Sequence, residues 1–338
     1  DIGDYLSREE KLKIVDDFGK MSNPDMKLQT IKPNKEGDWI NQRNEAFAEF
    51  IPIQPEKKFD TSSNSFFTIN GPGVLSSRDA WVYNFSYLEV CNNMKRMIEF
   101  YNEQVDDYDG NSPVSDYINT NPTKISWTVN LKNYLTNKKK LQLSESNIRI
   151  GLYRPFTNSQ ILYDSIFVER PGLNKQYFPS HNYKNIVICM SGIGSNKGFS
   201  ILVSDKPVDY QVQFNTQCFP LHYYEERNKQ SPTIFDAAGD SEYIKRDGVS
   251  DFILKRAREN YGDRVVKEDI FYYVYGVLHN PDYRNNFAND LKKMLPRIPL
   301  VDSTEDYWAF SKAGRDLAKL HLNYESGAPY PDVTVTGD

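Results

Sequence analysis

The chain has little cysteine, little histidine and no long apolar run. Its three cysteines, Cys91, Cys189 and Cys218, are odd in number and form no CxxC pair. That argues against a disulfide framework or a thiolate zinc site, and points to buried free thiols in a reducing cytoplasm. The four histidines, His181, His222, His279 and His321, stand at no metal-ligand spacing, so no metal site is expected. No apolar stretch approaches the roughly 20 residues that cross a bilayer, and no signal peptide opens the chain, so no membrane partner is expected. The GxSxG and HExxH motifs are missing. The Asn-Pro sites read SNPD, TNPT and HNPD, none of them the NPPY-type tetrapeptide that holds the target amine in amino-methyltransferases. Pro24, Asp25 and Lys27 look like a nuclease PD…K fragment, but no acidic partner in a strand can be placed with them. The sequence shows no complete active site, and no cofactor is expected in this chain. It opens on Asp1 in mid-pattern, as a piece of a longer polypeptide would.

What is present is aromatic and unevenly charged. Aromatic residues make up 14% of the 338, with 23 Tyr and 19 Phe, which suits a folded chain of two or three domains. The formal net charge is −5. Between Lys124 and Lys175, however, nine basic residues stand against three acidic ones, a local +6. The acidic residues gather elsewhere, at Asp106, Asp107 and Asp109 and between Asp236 and Asp251. Such a basic segment suits phosphate contact and a solvated surface equally.

Periodicity divides the chain into blocks at 1–110, 111–265 and 266–338. Ser7 with Glu10 and Ser86 with Glu89 read as capping boxes that open helices. The second helix lines up Val90, Met94, Met97, Ile98, Tyr101 and Val105 as a core-facing stripe. A strand is expected at 65–70, with GPGV (71–74) as a turn. The middle block is β-rich, with strands expected at 148–153, 160–169, 183–190, 199–204 and 208–215. The last block is helical. Ile270, Tyr273, Val274, Val277 and Leu278 form one stripe, and Asn280 with Pro281 restarts a helix. Phe287, Leu291 and Met294 continue its apolar side, and Phe310, Ala313, Leu317 and Leu320 mark the last helix. With no βαβ alternation, the fold class is α+β.

The glycine-rich MSGIGSNKGFS (190–200) invites a phosphate-loop reading. Its spacing, Gly192, Gly194 and Gly198, fits neither GxGxxG nor GxxxxGK[ST]. A strand follows it, where a phosphate site needs a helix N-terminus. It reads as a strand–loop–strand connection whose tip, Ser195, Asn196 and Lys197, is exposed on a rigid scaffold.

Four stretches, in order along the chain, carry a family resemblance: GDWINQRNEAFAEFIPI (37–53), GVLSSRDAWVYNF (73–85), LYRPF (152–156) and KEDIFYYVYGVLHNPDYRNNFANDLKKMLPRIPL (267–300). They resemble the C-terminal region of type ISP restriction–modification enzymes, single polypeptides often labelled predicted helicases. In that family one chain joins a nuclease, an ATP-driven translocase, an adenine-N6 methyltransferase and a target recognition domain. The resemblance implies that 1–110 ends the methyltransferase domain with its connecting helices. It makes 111–265 a β-rich DNA target recognition domain, with 266–338 a helical segment packing on it. S-adenosylmethionine, ATP and Mg would serve the upstream parts. The implied partners are duplex DNA and the upstream methyltransferase and translocase domains, in the cytoplasm. The alternative is a protein-interaction or coupling module that docks onto those domains.

Base reading uses Arg or Lys for guanine and Asn or Gln for adenine. Near turns of the β-rich block the candidates are Asn158, Ser159 and Gln160; His181, Asn182 and Lys184; Ser195, Asn196 and Lys197; and Gln211, Gln213 and Gln217. Lys138, Lys139 and Lys140 are candidates for the DNA backbone. Arg154 and Arg170 suit phosphate, or a structural salt bridge. Arg78 either pairs with Asp79 across a tight turn or approaches DNA beside the methyltransferase cleft.

Overall fold

Ser7 opens the first helix, α1 (Arg8–Phe18), through the expected capping box. Its hydroxyl accepts from Glu10 N at 3.3 Å, and the Glu10 carboxylate accepts from Ser7 N at 2.7 Å. Gly19, at φ +66°, follows as its C-cap. The helix buries none of its residues and leaves Leu12 and Val15 exposed. The structure, a computed structural model, describes residues 6–26, 30–55, 64–195, 197–227, 242–327 and 331–333. Two compact units result, Asp1–Arg43 and Asn44–Asp338.

In the second unit the described helices of eight residues or more are α2 (Tyr87–Asp107), α3 (Val129–Thr136), α4 (Asp251–Tyr261), α5 (Lys267–His279) and α6 (Thr304–Leu322). The described strands are β1 (Ile51–Pro52), β2 (Gly71–Pro72), β3 (Tyr83–Asn84), β4 (Ile148–Arg154), β5 (Thr157–Leu162), β6 (Val187–Met190), β7 (Ile201–Ser204), β8 (Gln217–Pro220), β9 (His222–Glu226), β10 (Tyr243–Asp247) and β11 (Arg297–Ile298). They pair antiparallel as β1-β11, β9-β10, β3-β5-β4 and β2-β8-β6-β7. The α+β class is the one observed.

The four-stranded sheet is a middle layer, which explains why its strands read as continuous apolar runs. Side chains alternate across a strand. Ile188 and Met190, with Ile201, Val203 and Phe219, join the core of α4, α5 and α6. Val187 and Cys189, with Leu202 and Cys218, join a second core with Leu152, Tyr177, Val208 and Val212. A third core sets α2 and α3 against the β3-β5-β4 sheet. All three cysteines are free and buried. The largest core takes Phe47 and Phe66, Ile188 and Phe219, and Tyr273 and Tyr307, so it crosses all three blocks of the sequence reading.

Several elements differ from expectation. Residues 65–70 form only an isolated bridge at Phe67, and the strand lies at Gly71–Pro72, inside the expected turn. Backbone bonds explain this: Phe67 N donates to Ile53 O, whereas Thr68 N reaches across to Gly248 O. Ser86 caps α2, but Glu89 turns its carboxylate to Asn92 and does not close the box. Phe287 and Leu291 are half-buried, packing on the core from outside. In α6 the buried stripe is Tyr307, Ser311, Gly314 and Ala318, while Ala313 and Leu320 are exposed. Phe310 and Leu317 of the expected stripe do pack on the core, but the most buried line is turned towards small residues that face α5.

Candidate nucleic-acid interface

Strand direction gives the central sheet two distinct ends. The chain enters β6 from Asn185 and Ile186 and leaves it at Ser191. At the leaving end, residues 191–200 join β6 to β7, and the turn 210–216 leads into β8 beside them. At the entering end lie Asn185, Lys206 and His222, in a groove of about 950 Å³.

The leaving end is a pair of loops joined by hydrogen bonds. Ser191 N donates to Ser200 O at 3.0 Å, and Gly192 N donates to Phe214 O at 3.2 Å. The Ser200 hydroxyl donates to the Gln213 side chain. A Cβ on Gly192 would lie 2.1 Å from Asn215 O, so only glycine lets the two loops touch. Ser195 and Lys197 stand on the tip, with Lys197 exposed and its Nζ 5.7 Å from the Phe214 ring centroid. Asn196 lies outside the described residues. Gln211 is exposed, Gln217 donates to Asn215 O at 3.4 Å, and Gln213 is buried as a structural link.

The entering end is built on the segment 178–185. Arg149 pins it, donating to Phe178 O at 2.8 Å while its guanidinium lies 4.9 Å from the Tyr163 ring. Asn185 ties it down by donating to Tyr177 O and accepting from His222 N, and Tyr224 donates to Lys184 O at 2.7 Å. With the backbone held, His181, Asn182 and Lys184 remain exposed. Gln160 lines the groove from β5, and Lys245 lines it from β10. Burial, and then Lys245, holds His222 below its ordinary value, with Asp247 opposing. Lys206 pairs with Asp205. Lys184 and Lys245 supply exposed positive charge to the groove, beside the buried Arg149 that also lines it.

The remaining candidates are engaged internally or lie elsewhere. Arg78 is only 3% exposed and donates to Thr128 Oγ1 at 2.6 Å. Burial pushes its pKa down to about 10, with Glu169 opposing, and its guanidinium turns away from Asp79 to Thr128. Asp79 instead accepts from Tyr153 at 3.2 Å and Arg154 at 3.4 Å. Arg154 is the structural partner, reaching Asp209 at 2.8 Å with its guanidinium 3.8 Å from the Tyr153 ring centroid. The lysine run is partly engaged by its neighbours in three dimensions. Lys140 meets Asp106 at 2.7 Å, Lys139 lies over the Tyr134 ring, and Lys138 adds only slightly to the Ser112 and Asn111 N–H groups that hold Asp109 below its ordinary value. Asn158 donates to Glu325 at 2.9 Å. Ser159 is buried and donates to Asn84 O. Arg170 exchanges backbone hydrogen bonds with Leu75 and leaves its side chain exposed. Sequence reasoning missed Lys245 and Phe214, one in an unforeseen strand and the other in a supposed strand that is a turn.

Residues 65–337 match the family model of the Type ISP C-terminal specificity domain. The chain belongs to this family. A comparison with the curated proteins finds no match. Among solved structures, the specificity domain is similar to a nuclease-deletion mutant of the Type ISP restriction-modification enzyme LlaGI, in complex with a DNA substrate mimic. That likeness has a TM-score of 0.78 and 35% identity, covering 96% of this chain and 28% of the other. It is also similar to the ATP-dependent Type ISP enzyme LlaBIII bound to DNA (TM-score 0.79, 31% identity, 97% and 20% covered). A DrdV–DNA complex matches at TM-score 0.78 and 26% identity, with 96% and 30% covered. This specificity domain thus spans less than a third of each of these chains.

Proposed function

We propose that this chain is the duplex-DNA target recognition part of a Type ISP restriction–modification enzyme. The observation that carries the reading is its likeness, over nearly its whole length, to one segment of enzymes solved with DNA. The loop pair at 191–200 and 210–216 reads bases, and Lys184 and Lys245 hold backbone phosphate. Four-residue strands separate the two ends of the sheet by roughly 13 Å, about four base-pair steps at 3.4 Å per step, so one duplex can meet both. Adenine-N6 methylation, ATP-driven translocation and cleavage, with their S-adenosylmethionine, ATP and Mg, belong to other parts of the same cytoplasmic polypeptide. The exposed Leu12 and Val15 of α1 favour the docking reading for that helix, against the methyltransferase part.

A salt titration tests the assignment. Each neutralised phosphate contributes about 0.9 to the slope of log K against log salt. Changing Lys184 and Lys245 together to Gln is expected to weaken specific and non-specific duplexes alike and to flatten the slope by about two units. Changing Lys138, Lys139 and Lys140 to Gln is expected to leave it nearly unaltered, because Lys140 already meets Asp106 and Lys139 lies over the Tyr134 ring. The reverse pattern would move the backbone contacts to the lysine run.

A further inference from the structure

Two phenylalanines occupy the left-handed backbone region, Phe156 at φ +53° and Phe214 at φ +54°, and Asn215 follows at +57°. A bulky side chain is disfavoured there because its Cβ crowds the following carbonyl. Phe156 has a packing reason. Its ring lies edge-on to His321 and to Tyr324, both at 5.4 Å. Phe214 has no such reason. It is 41% exposed, and among the described residues no aromatic ring packs against it. Its neighbour is a cation, Lys197, and the abutting loop presents Ile193, 58% exposed.

The backbone holds this pair outward. Gly192 N donates to Phe214 O, and Gln213 N donates to Thr216 Oγ1 at 2.8 Å. Thr216 N closes the turn onto Tyr210 O at 2.8 Å. Strained residues persist where their surroundings over-determine them, and they gather at functional sites. Scattered exposed apolar residues are ordinary. Two on touching loops, one of them strained and under an ammonium group, suit a ligand with an apolar interior and an anionic rim.

We propose that Phe214, with Ile193 beside it, is a wedge that enters the base stack of bound duplex DNA at one step. The proposal rests on the reading that the chain recognises duplex DNA. A base step offers what the tip lacks: flat apolar faces for the ring, flanked by phosphates for Lys197. Apolar side chains inserted this way unstack a step and bend the duplex, and the added contact offsets the unstacking. Ser195, Gln211 and Gln217 then border the opened step and meet its base edges.

The experiment selects a binding sequence for the protein from randomised duplexes, then places 2-aminopurine at each position of it in turn. Unstacking is expected to raise the fluorescence several-fold at one or two adjacent positions on binding. Phe214→Gly relieves the backbone strain, so its melting temperature is expected to equal or exceed wild type. It should nevertheless lose the fluorescence rise and bind ~10-fold more weakly, the scale of one lost base–aromatic stack. Phe214→Leu, apolar and able to insert, is expected to keep part of the rise. A wild-type complex with no fluorescence change at any position, or a Phe214→Gly variant that binds and brightens like wild type, overturns the wedge and leaves recognition standing. A wild-type protein that selects no duplex overturns both.

Discussion

Gly314→Ala is expected to lower the melting temperature sharply, although alanine is the better helix former. An added Cβ would lie 2.0 Å from Tyr272 O and 2.8 Å from Gly276 N, both backbone atoms of α5. The converse holds at Gly276, whose Cβ would meet Phe310 O of α6 at 2.4 Å. The two helices touch through this pair of glycines, so a methyl group on either pushes them apart. That separation disturbs the stacked rings of Tyr273 and Tyr307, 4.8 Å apart, and the Ser311 hydroxyl donating to Asp269 O. Alanine gains about 1 kcal/mol of helix propensity. Overpacking costs ~1–3 kcal/mol and sometimes more, and here the obstruction is backbone that no rotamer change can move. A net loss at the upper end of that range is expected, read as a drop of several degrees in a thermal melt. Gly198→Ala is the control, since nothing lies within 4 Å of its Cβ. If Gly314→Ala melts with wild type, the close crossing of α5 and α6 is wrong.

The same glycine shows why part of the fold was legible and part was not. α2 and α5 announce themselves because their cores are made of large apolar residues at helical spacing. α6 announces itself through Phe310 and Leu317, but its closest contact face, Ser311, Gly314 and Ala318, stays hidden, because hydrophobic pattern cannot see a face chosen for smallness. Alternation misled at VDYQVQFN. Val208, Tyr210, Val212 and Phe214 alternate as in a strand, yet the chain turns there and Phe214 points outward. Burial of both sheet faces hid the alternation that is real in β6.

Charge was the least legible property, because pairing is long-range. Lys140 and Asp106 are 34 residues apart, and Arg154 and Asp209 are 55 apart. A sum along a segment counts neither partner. Arg78 stands next to an acid in sequence, yet the fold turns it inward to Thr128, 50 residues away. Ser195 and Lys197 were legible because glycines between two strands leave a tip exposed. The residue that gives that tip its chemistry, Phe214, comes from another loop.

Asp209 and His279 are expected to oppose each other in the pH dependence of stability, and Asp209→Asn separates them. Asp209 is 3% exposed. Burial, with Asp79 nearby, pushes its carboxyl up to about 6 from 3.8, against the Gln211 N–H and Arg154. A raised carboxyl pKa contributes stability below the unfolded value and loses it as pH rises towards 6. Burial, and then His321 and Arg284, pushes His279 down to about 4 from 6.5. A depressed histidine works the other way: its contribution is present above 6.5 and is lost as pH falls towards 4. His222 and His321 are also held low by burial, so the wild type is expected to weaken on acidification, with Asp209 blunting the slope. Asp209→Asn mimics the protonated acid. It is expected to melt with wild type near pH 4 and above it at pH 7, by up to ~3 kcal/mol at ~1.4 kcal/mol per pKa unit. Arg154 loses one partner but keeps Asp79 and the Tyr153 ring, at a partly exposed site where an ion pair contributes ~0–1 kcal/mol. Melts at pH 4, 5.5 and 7 decide the matter. Parallel curves for variant and wild type would mean that Asp209 stays ionised across the whole window, held by Arg154 more strongly than burial opposes it.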